Sequence, residues 1–350
     1  MNVHRICGAL AAFALLIPAG APAAGFQDVL DVPAMASELA AKGLINGLAL
    51  AGQRVVGVGQ RGHIVYSDDQ GKSWRQAKVP VSSDLVAVSF PTPQKGWAVG
   101  HDGVVLASSD AGATWTKQLD GRAVGELMVT YYKARTGDEA AKWVAEAERF
   151  AAQGAENPFL DVWFADEQSG FVVGAFNLIL RTTDGGKSWE PWLDRTANPQ
   201  ALHLYAIRPA GGDVYVTGEQ GLVLRLDAGA GRLRALETPY RGSYFGVTGT
   251  GNAVIVFGLR GNAFRSADGG ATWHKIDTGV QEGLTAGVPL GAGGVLLASQ
   301  AGRLLLSTDG GEHFAPLKLE RATPAAAVQP LGTDAVVVAG ARGVRVQMLR

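Results

Sequence analysis

The chain has 350 residues, with 31 Lys and Arg against 32 Asp and Glu, for a net charge of −1. That balance argues against a nucleic-acid binder held by bulk positive charge. Gly accounts for 48 residues, about twice the usual ~7 %, so many tight turns are expected, because Gly reaches positive φ without steric cost.

Residues 1–23 carry a signal-peptide pattern. Arg5 supplies the positive end, residues 7–17 form an apolar core too short to span a bilayer, and Ala21-Pro22-Ala23 is a small-x-small site. Cleavage is expected after Ala23, which implies a periplasmic or secreted protein with no membrane span after cleavage. Cys7 is the only cysteine and leaves with this segment. The mature chain then has no disulfide, no thiolate metal site and no Cys nucleophile. Residues 26–32 follow as a short β-like run.

From about residue 44 the chain repeats itself. The pattern Ser/Thr-x-Asp-x-Gly-x-Ser/Thr-Trp places Asp69, Asp110, Asp184 and Asp268 ahead of Trp74, Trp115, Trp189 and Trp273. Asp309 marks a weaker copy with Phe314 in place of Trp, and Asp227 a decayed one. The spacing is near 41 residues, with one longer gap between Asp110 and Asp184. Upstream of each Asp lies a small-residue turn, such as residues 59–62, 100–103 and 258–261. Residues 299–302 and 340–343 complete seven such turns. Residues 85–90, 96–100, 104–109 and 114–119 parse one repeat into four strands. Four short strands per repeat of about 40 residues is a propeller signature. The Asp is expected to accept hydrogen bonds inside the turn between strands three and four, which makes these Asp boxes structural.

The last repeat ends at residue 350 and lacks an outer strand. The run 26–32 is expected to supply it, so that main-chain hydrogen bonds close the ring. The expected architecture is therefore all-β: a seven-bladed β-propeller over residues 24–350, closed by an N-terminal strand that completes the last blade. Residues 122–156 interrupt the β pattern. Residues 126–133 and 138–153 look helical, with Asp138 as N-cap and Ala140, Val144, Ala147 and Ala151 along one face. This helical-hairpin insertion carries Tyr131, Tyr132 and Trp143, which either pack on the propeller or meet a partner.

No catalytic constellation is recognisable. There is no HExxH, no GxSxG and no phosphate loop, and no cofactor or metal is expected. Arg61, Arg260 and Arg342 share the third position of their turns, and equivalent positions in a propeller lie on one face. Arg303, with Arg181, Arg225, Arg265 and Arg345 in neighbouring strands, is expected to add to a cationic ring that suits an anionic group or acidic protein segment.

The Asp boxes, the glycine turns and the segment Asn157-Pro-Phe-Leu-Asp-Val-Trp-Phe164 resemble the photosystem II assembly/stability factor-like propellers, within the BNR/Asp-box group. The helical insertion resembles the proteobacterial branch. Members in oxygenic phototrophs bind a photosystem subunit, and genes of the proteobacterial branch often neighbour exporter genes. The resemblance implies a non-enzymatic scaffold or assembly factor, monomeric, that binds a protein partner of a membrane complex or exporter and no nucleic acid. The alternative is a sialidase-like glycoside hydrolase or a small-ligand-binding propeller, for which Tyr205, Tyr215, Tyr240 and Tyr244 are unassigned candidates.

Overall fold

Seven antiparallel sheets follow one another along the chain in the computed structural model, which describes residues 25, 27–291, 293–319 and 321–349. Blades 1 to 7 occupy residues 45–76, 85–119, 159–191, 204–236, 244–276, 284–316 and 327–348. Among the described residues, blades 1 to 6 have four strands in sequence order and blade 7 has three. The expected seven-bladed propeller is thus observed.

The sequence pattern follows from the layering. The second strand of each blade is covered on both sides by neighbouring blades, so Gly96–Gly100, Ala253–Gly258 and Ala335–Gly340 are buried at every position. Inner strands alternate, as in Ile45–Ala51, because one side lines the central channel. Separate apolar clusters fill the seams between blades, for example Ile255, Phe257, Leu284 and Leu297 between blades 5 and 6.

The start of each inner strand pairs with the end of the second strand, as Ile45 with Gly59. The turns between strands two and three therefore share a face with the connectors that link blades. The Asp boxes lie on the opposite face, at the turns between strands three and four.

The ring does not close as the sequence suggested. Phe26 lies outside the described residues. Residues 28–31 form a turn, in which Asp28 accepts a hydrogen bond from Leu30 N at 2.9 Å and Asp31 N donates to the Asp28 carbonyl. Leu30 is 1 % exposed and packs with Val79, Val81, Val104 and Trp115 at blades 1 and 2. Asp31 pairs with Arg122 at 2.8 Å. The segment runs along blade 1 away from blade 7, because Leu30 finds an apolar seam there. At the join, Ala40, Ile45 and Val65 pack with Ala339 and Val344 of blade 7. Closure thus rests on side-chain burial, and the third strand of blade 7 keeps an unpaired edge among the described residues.

The insertion folds as two helices, α1 (Gly121–Lys133) and α2 (Ala140–Gln153). Helix α1 starts five residues earlier than its composition suggests, since Gly121 and Gly125 are poor helix formers. Tertiary contact explains them: a Cβ on Gly125 would lie 2.5 Å from the Ala151 Cα, so the glycine lets the two helices touch. Asp120 caps α1, its side chain accepting from Arg122 N, whereas Glu139 precedes α2 and no side-chain cap forms at Asp138. Ala147 and Phe150 form the buried face of α2, while Ala141, Ala145 and Ala151 are exposed. Among the described residues no helix is long and apolar enough to cross a membrane.

Candidate binding face and central channel

The Asp boxes satisfy themselves. Asp69 Oδ1 accepts from the Ser67 hydroxyl and Ser73 N, both at 2.8 Å, and Oδ2 accepts from the Ser73 hydroxyl at 2.6 Å. Ser67 Oγ in turn accepts from Gly71 N, and Trp74 Nε1 donates to the Gly71 carbonyl. Asp110, Asp184 and Asp268 repeat the same carboxylate pattern. Trp115 Nε1 donates to the Gly112 carbonyl at 3.0 Å, and Trp189 is buried. Trp273 packs at the seam of blades 4 and 5. Hydrogen bonds from the Ser188 hydroxyl and Ser188 N hold the Asp184 carboxyl at about 2. In the weaker copy His313 takes the hydroxyl's place, its Nδ1 2.7 Å from Asp309 Oδ2. Asp309, Glu312 and His313 are exposed and close enough for a cation, but His313 is already engaged in completing the turn.

Two of the strand arginines, Arg225 and Arg265, turn towards the Asp-box face and do not extend a ring on the other one. Arg225 Nη1 donates to the Gly269 carbonyl and Arg265 Nε to the Gly310 carbonyl, each stitching one blade to the Asp box of the next. Arg303 pairs with Glu282 at 3.2 Å. Arg61, Arg260 and Arg342 do lie in turns of the shared face, are exposed, and form no ion pair among the described residues.

Those turns have an unexpected conformation. The third residue is left-handed in five blades: Arg61 (φ 56°), Asp102 (58°), Phe176 (53°), Gln220 (51°) and Arg260 (57°). Non-Gly residues are uncommon there and carry a steric cost. Phe176 is 41 % exposed, and Leu259, in the turn of blade 5, is 39 % exposed. An aromatic arc runs from Phe176 to His203 (4.5 Å between centroids), on to Tyr205 (6.3 Å) and then Phe245 (5.6 Å).

Tyr205 and Phe245 reach the channel through a bulge. The inner strands of blades 1 to 6 each slip by one residue near their start, at Asn46, Val86, Leu160, Tyr205, Phe245 and Thr285. All six line a central cavity of about 290 Å³. A bulge re-aims a side chain, and sequence periodicity alone does not reveal it. The lining carries one acid, Asp161, and one base, Arg208. Asp161 accepts from Val162 N (2.9 Å) and Ile207 N (2.8 Å) and pairs with Arg208 Nη1. Burial pushes its carboxyl up, against the pull of Arg208 and the backbone donors. This pair was missed from sequence because its members are 47 residues apart.

The hairpin aromatics face the propeller. Tyr132, at 1 % exposure, donates to Asp194 Oδ1 at 3.0 Å, and burial followed by the Asp194 charge pushes its phenol well up. It has no surface to offer a partner. Tyr131 donates to Glu190 at 2.9 Å and accepts from Arg195. Trp143 stacks on Tyr132 and lines a cleft of about 330 Å³ with Arg149, Phe176 and Leu193. Tyr215 and Tyr244 are fully buried, and Tyr240 donates to the Leu259 carbonyl.

Solved structures share this architecture. YCF48 bound to a D1 peptide superposes with a TM-score of 0.65 at 16 % identity, over 89 % of this chain and 94 % of that one. The GH74 xyloglucanase from Xanthomonas campestris gives 0.62 at 14 % identity, over 88 % of this chain and 52 % of that enzyme. Likeness at this identity establishes the fold. By sequence, the photosystem II assembly lipoprotein Ycf48 of Synechococcus sp. (strain CC9902) is 30 % identical over 125 residues. That match spans 35 % of this chain and only 37 % of the relative. The family model described as photosynthesis system II assembly factor YCF48 matches residues 66–145 and 140–274, together more than half of the chain. The chain therefore belongs to the YCF48 family of photosystem II assembly factor-like propellers.

Proposed function

We propose that this protein is a non-enzymatic periplasmic or secreted scaffold or assembly factor, and that the face bearing the left-handed turns binds a protein of a membrane complex or exporter. The observation that carries this reading is the set of five side chains at left-handed positions. Glycine would occupy each position without strain, yet the chain presents two arginines, a carboxylate, an aromatic ring and an amide there, with Leu259 exposed next to Arg260. Aromatic and arginine side chains are the usual anchors of protein interfaces. A YCF48 structure holds a D1 peptide, which supports peptide capture by this fold. The segment 1–23 supports export, with Arg5 and the Ala21-Pro22-Ala23 site as its marks. A sugar-cleaving reading gains no support from the channel, where Asp161 is engaged by three donors.

Crosslinking in the native envelope followed by mass spectrometry tests the proposal. Wild-type protein is expected to capture one membrane protein reproducibly, and a variant with Arg61→Gly, Phe176→Ala and Arg260→Gly is expected to lose it while remaining folded. Equal capture by the variant, or no membrane protein in repeated trials, overturns it.

A further inference from the structure

Blade 7 departs from the other six at one position of its third strand. The residue opposite the second-strand position two before the turn is Val65, Leu106, Leu180, Leu224, Phe264 and Leu305 in blades 1 to 6. Each is buried and apolar. In blade 7 the same position, opposite Val338, holds Arg345.

A guanidinium in a slot shaped for leucine needs several partners, and among the described residues this one has a single acceptor. Its Nη1 donates to the Arg321 carbonyl at 2.8 Å. Its Nε and Nη2 are buried with no partner among the described residues, and so is the Thr323 hydroxyl. Among the described residues no carboxylate pairs with Arg345, and its charged neighbour is Arg321. Arg345, Thr323 and the exposed Arg342 line a cavity of about 40 Å³, room for a carboxylate group but not for a larger molecule. Unpaired buried donors are costly, so a site built this way calls for an acceptor.

The edge beside it is open beyond Gly343, where the Ala41 carbonyl and Lys42 lie against the strand. Among the described residues, blades 1 to 6 have a fourth strand and blade 7 does not. Val346 and Met348, on its outermost strand (Gly343–Met348), are 40 % and 48 % exposed. Alternate residues of such a strand turn their N–H and C=O groups outward, ready to pair with an added strand.

We propose that Arg345 and Thr323 form a carboxylate-binding site, and that its occupant is an acidic side chain in an extended segment of a partner, laid along residues 344–348 as the missing fourth strand. This rests on the protein-binding function proposed above. Main-chain pairing supplies affinity in such strand addition, and the pocket supplies selectivity.

The full mature protein and its Arg345→Leu and Arg345→Gln variants test the proposal. Melting is measured in sodium acetate and in sodium chloride at equal ionic strength. Binding is measured to a blocked hexapeptide, Thr-Val-Glu-Val-Thr-Val, and to its Gln counterpart. Leu restores the slot of the other blades, so Arg345→Leu is expected to melt higher in chloride by about 2 °C or more. Acetate is expected to raise the melting temperature of wild type alone. The Glu peptide is expected to bind wild type about ten-fold or more tighter than the Gln peptide, and both variants to lose that preference. An Arg345→Leu protein that melts lower, with no acetate effect on wild type, shows the guanidinium satisfied within the fold and overturns the site. Acetate stabilisation without Glu-over-Gln preference shows a site for free carboxylates and overturns strand docking. A dimer in sedimentation that Val346→Asp dissociates puts a second copy on the edge and likewise overturns it. Envelope crosslinks that persist in Arg345→Leu would leave the general protein-binding reading standing while this site falls.

Discussion

Replacing Arg61, Gln220 and Arg260 with glycine separates the folding role of the turn residues from their binding role. Their φ values are 56°, 51° and 57°. An L-residue in the left-handed region costs about 1–2 kcal/mol. Glycine removes that cost but gives back about 0.5–1 kcal/mol through the greater freedom of the unfolded chain. The net expectation is a gain of about 0–1.5 kcal/mol per site, or about 0–4.5 kcal/mol for the triple variant. Domains of 150–250 residues shift by about 2–4 °C per kcal/mol, and a longer chain sits at or below the lower end, so the melting temperature is expected to stay level or rise by up to ~9 °C. The hydrogen bond from Arg61 N to Asp84 Oδ1 at 2.6 Å has a backbone donor and survives the change. Differential scanning calorimetry on the purified protein reads the result. A fall of more than ~2 °C would show that these side chains hold their turns, and would falsify the argument that they are displayed at a cost.

Three further outcomes follow from the packing. Arg208→Ala leaves the buried Asp161 carboxylate with backbone donors only and is expected to cost about 2–3 kcal/mol, less than a fully buried pair because Arg208 is 38 % exposed. The double variant Asp161→Asn, Arg208→Met is expected to recover most of that in urea unfolding, and no recovery would show that the pair acts through something other than charge. Leu30→Ala is expected to cost about 2–4 kcal/mol through the cavity it leaves beside Trp115. A neutral result would mean that the N-terminal segment does not dock on blades 1 and 2. Stability should also respond to acid. Asp184, Asp120 and Asp31 are held at about 2, below the ~3.9 of an unfolded aspartate. Groups with depressed folded values contribute stability that is fully present above about pH 4 and is lost as pH falls towards 2. The melting temperature is expected to be flat from pH 7 to about 4.5 and to drop below that; a drop that begins above pH 5 would point to other groups.

The repeat was legible because its chemistry is local. Asp69 finds its partners at Ser67 and Ser73, inside one turn, so spacing and residue type alone specify the hairpin, and seven glycine turns specify seven blades. The features that distinguish one blade from another depend on distant residues. Residues 26–32 have the composition of a strand, but Leu30 is captured by an apolar seam at blades 1 and 2 that no short-range pattern announces. Gly125 looks like a helix breaker until Ala151 of the facing helix shows why a side chain is excluded. Arg225 and Arg265 looked like members of a ring until the carbonyls of the next blade claimed them. Arg345 is one arginine among many in the sequence and becomes exceptional only when strand register aligns it with six buried apolar residues. The sequence by itself determined the repeat, its turns and therefore the propeller, because turn geometry is settled within about five residues. The tertiary structure decided how the ring closes, which side chains reach the channel and which blade stays open, because each depends on contacts between blades.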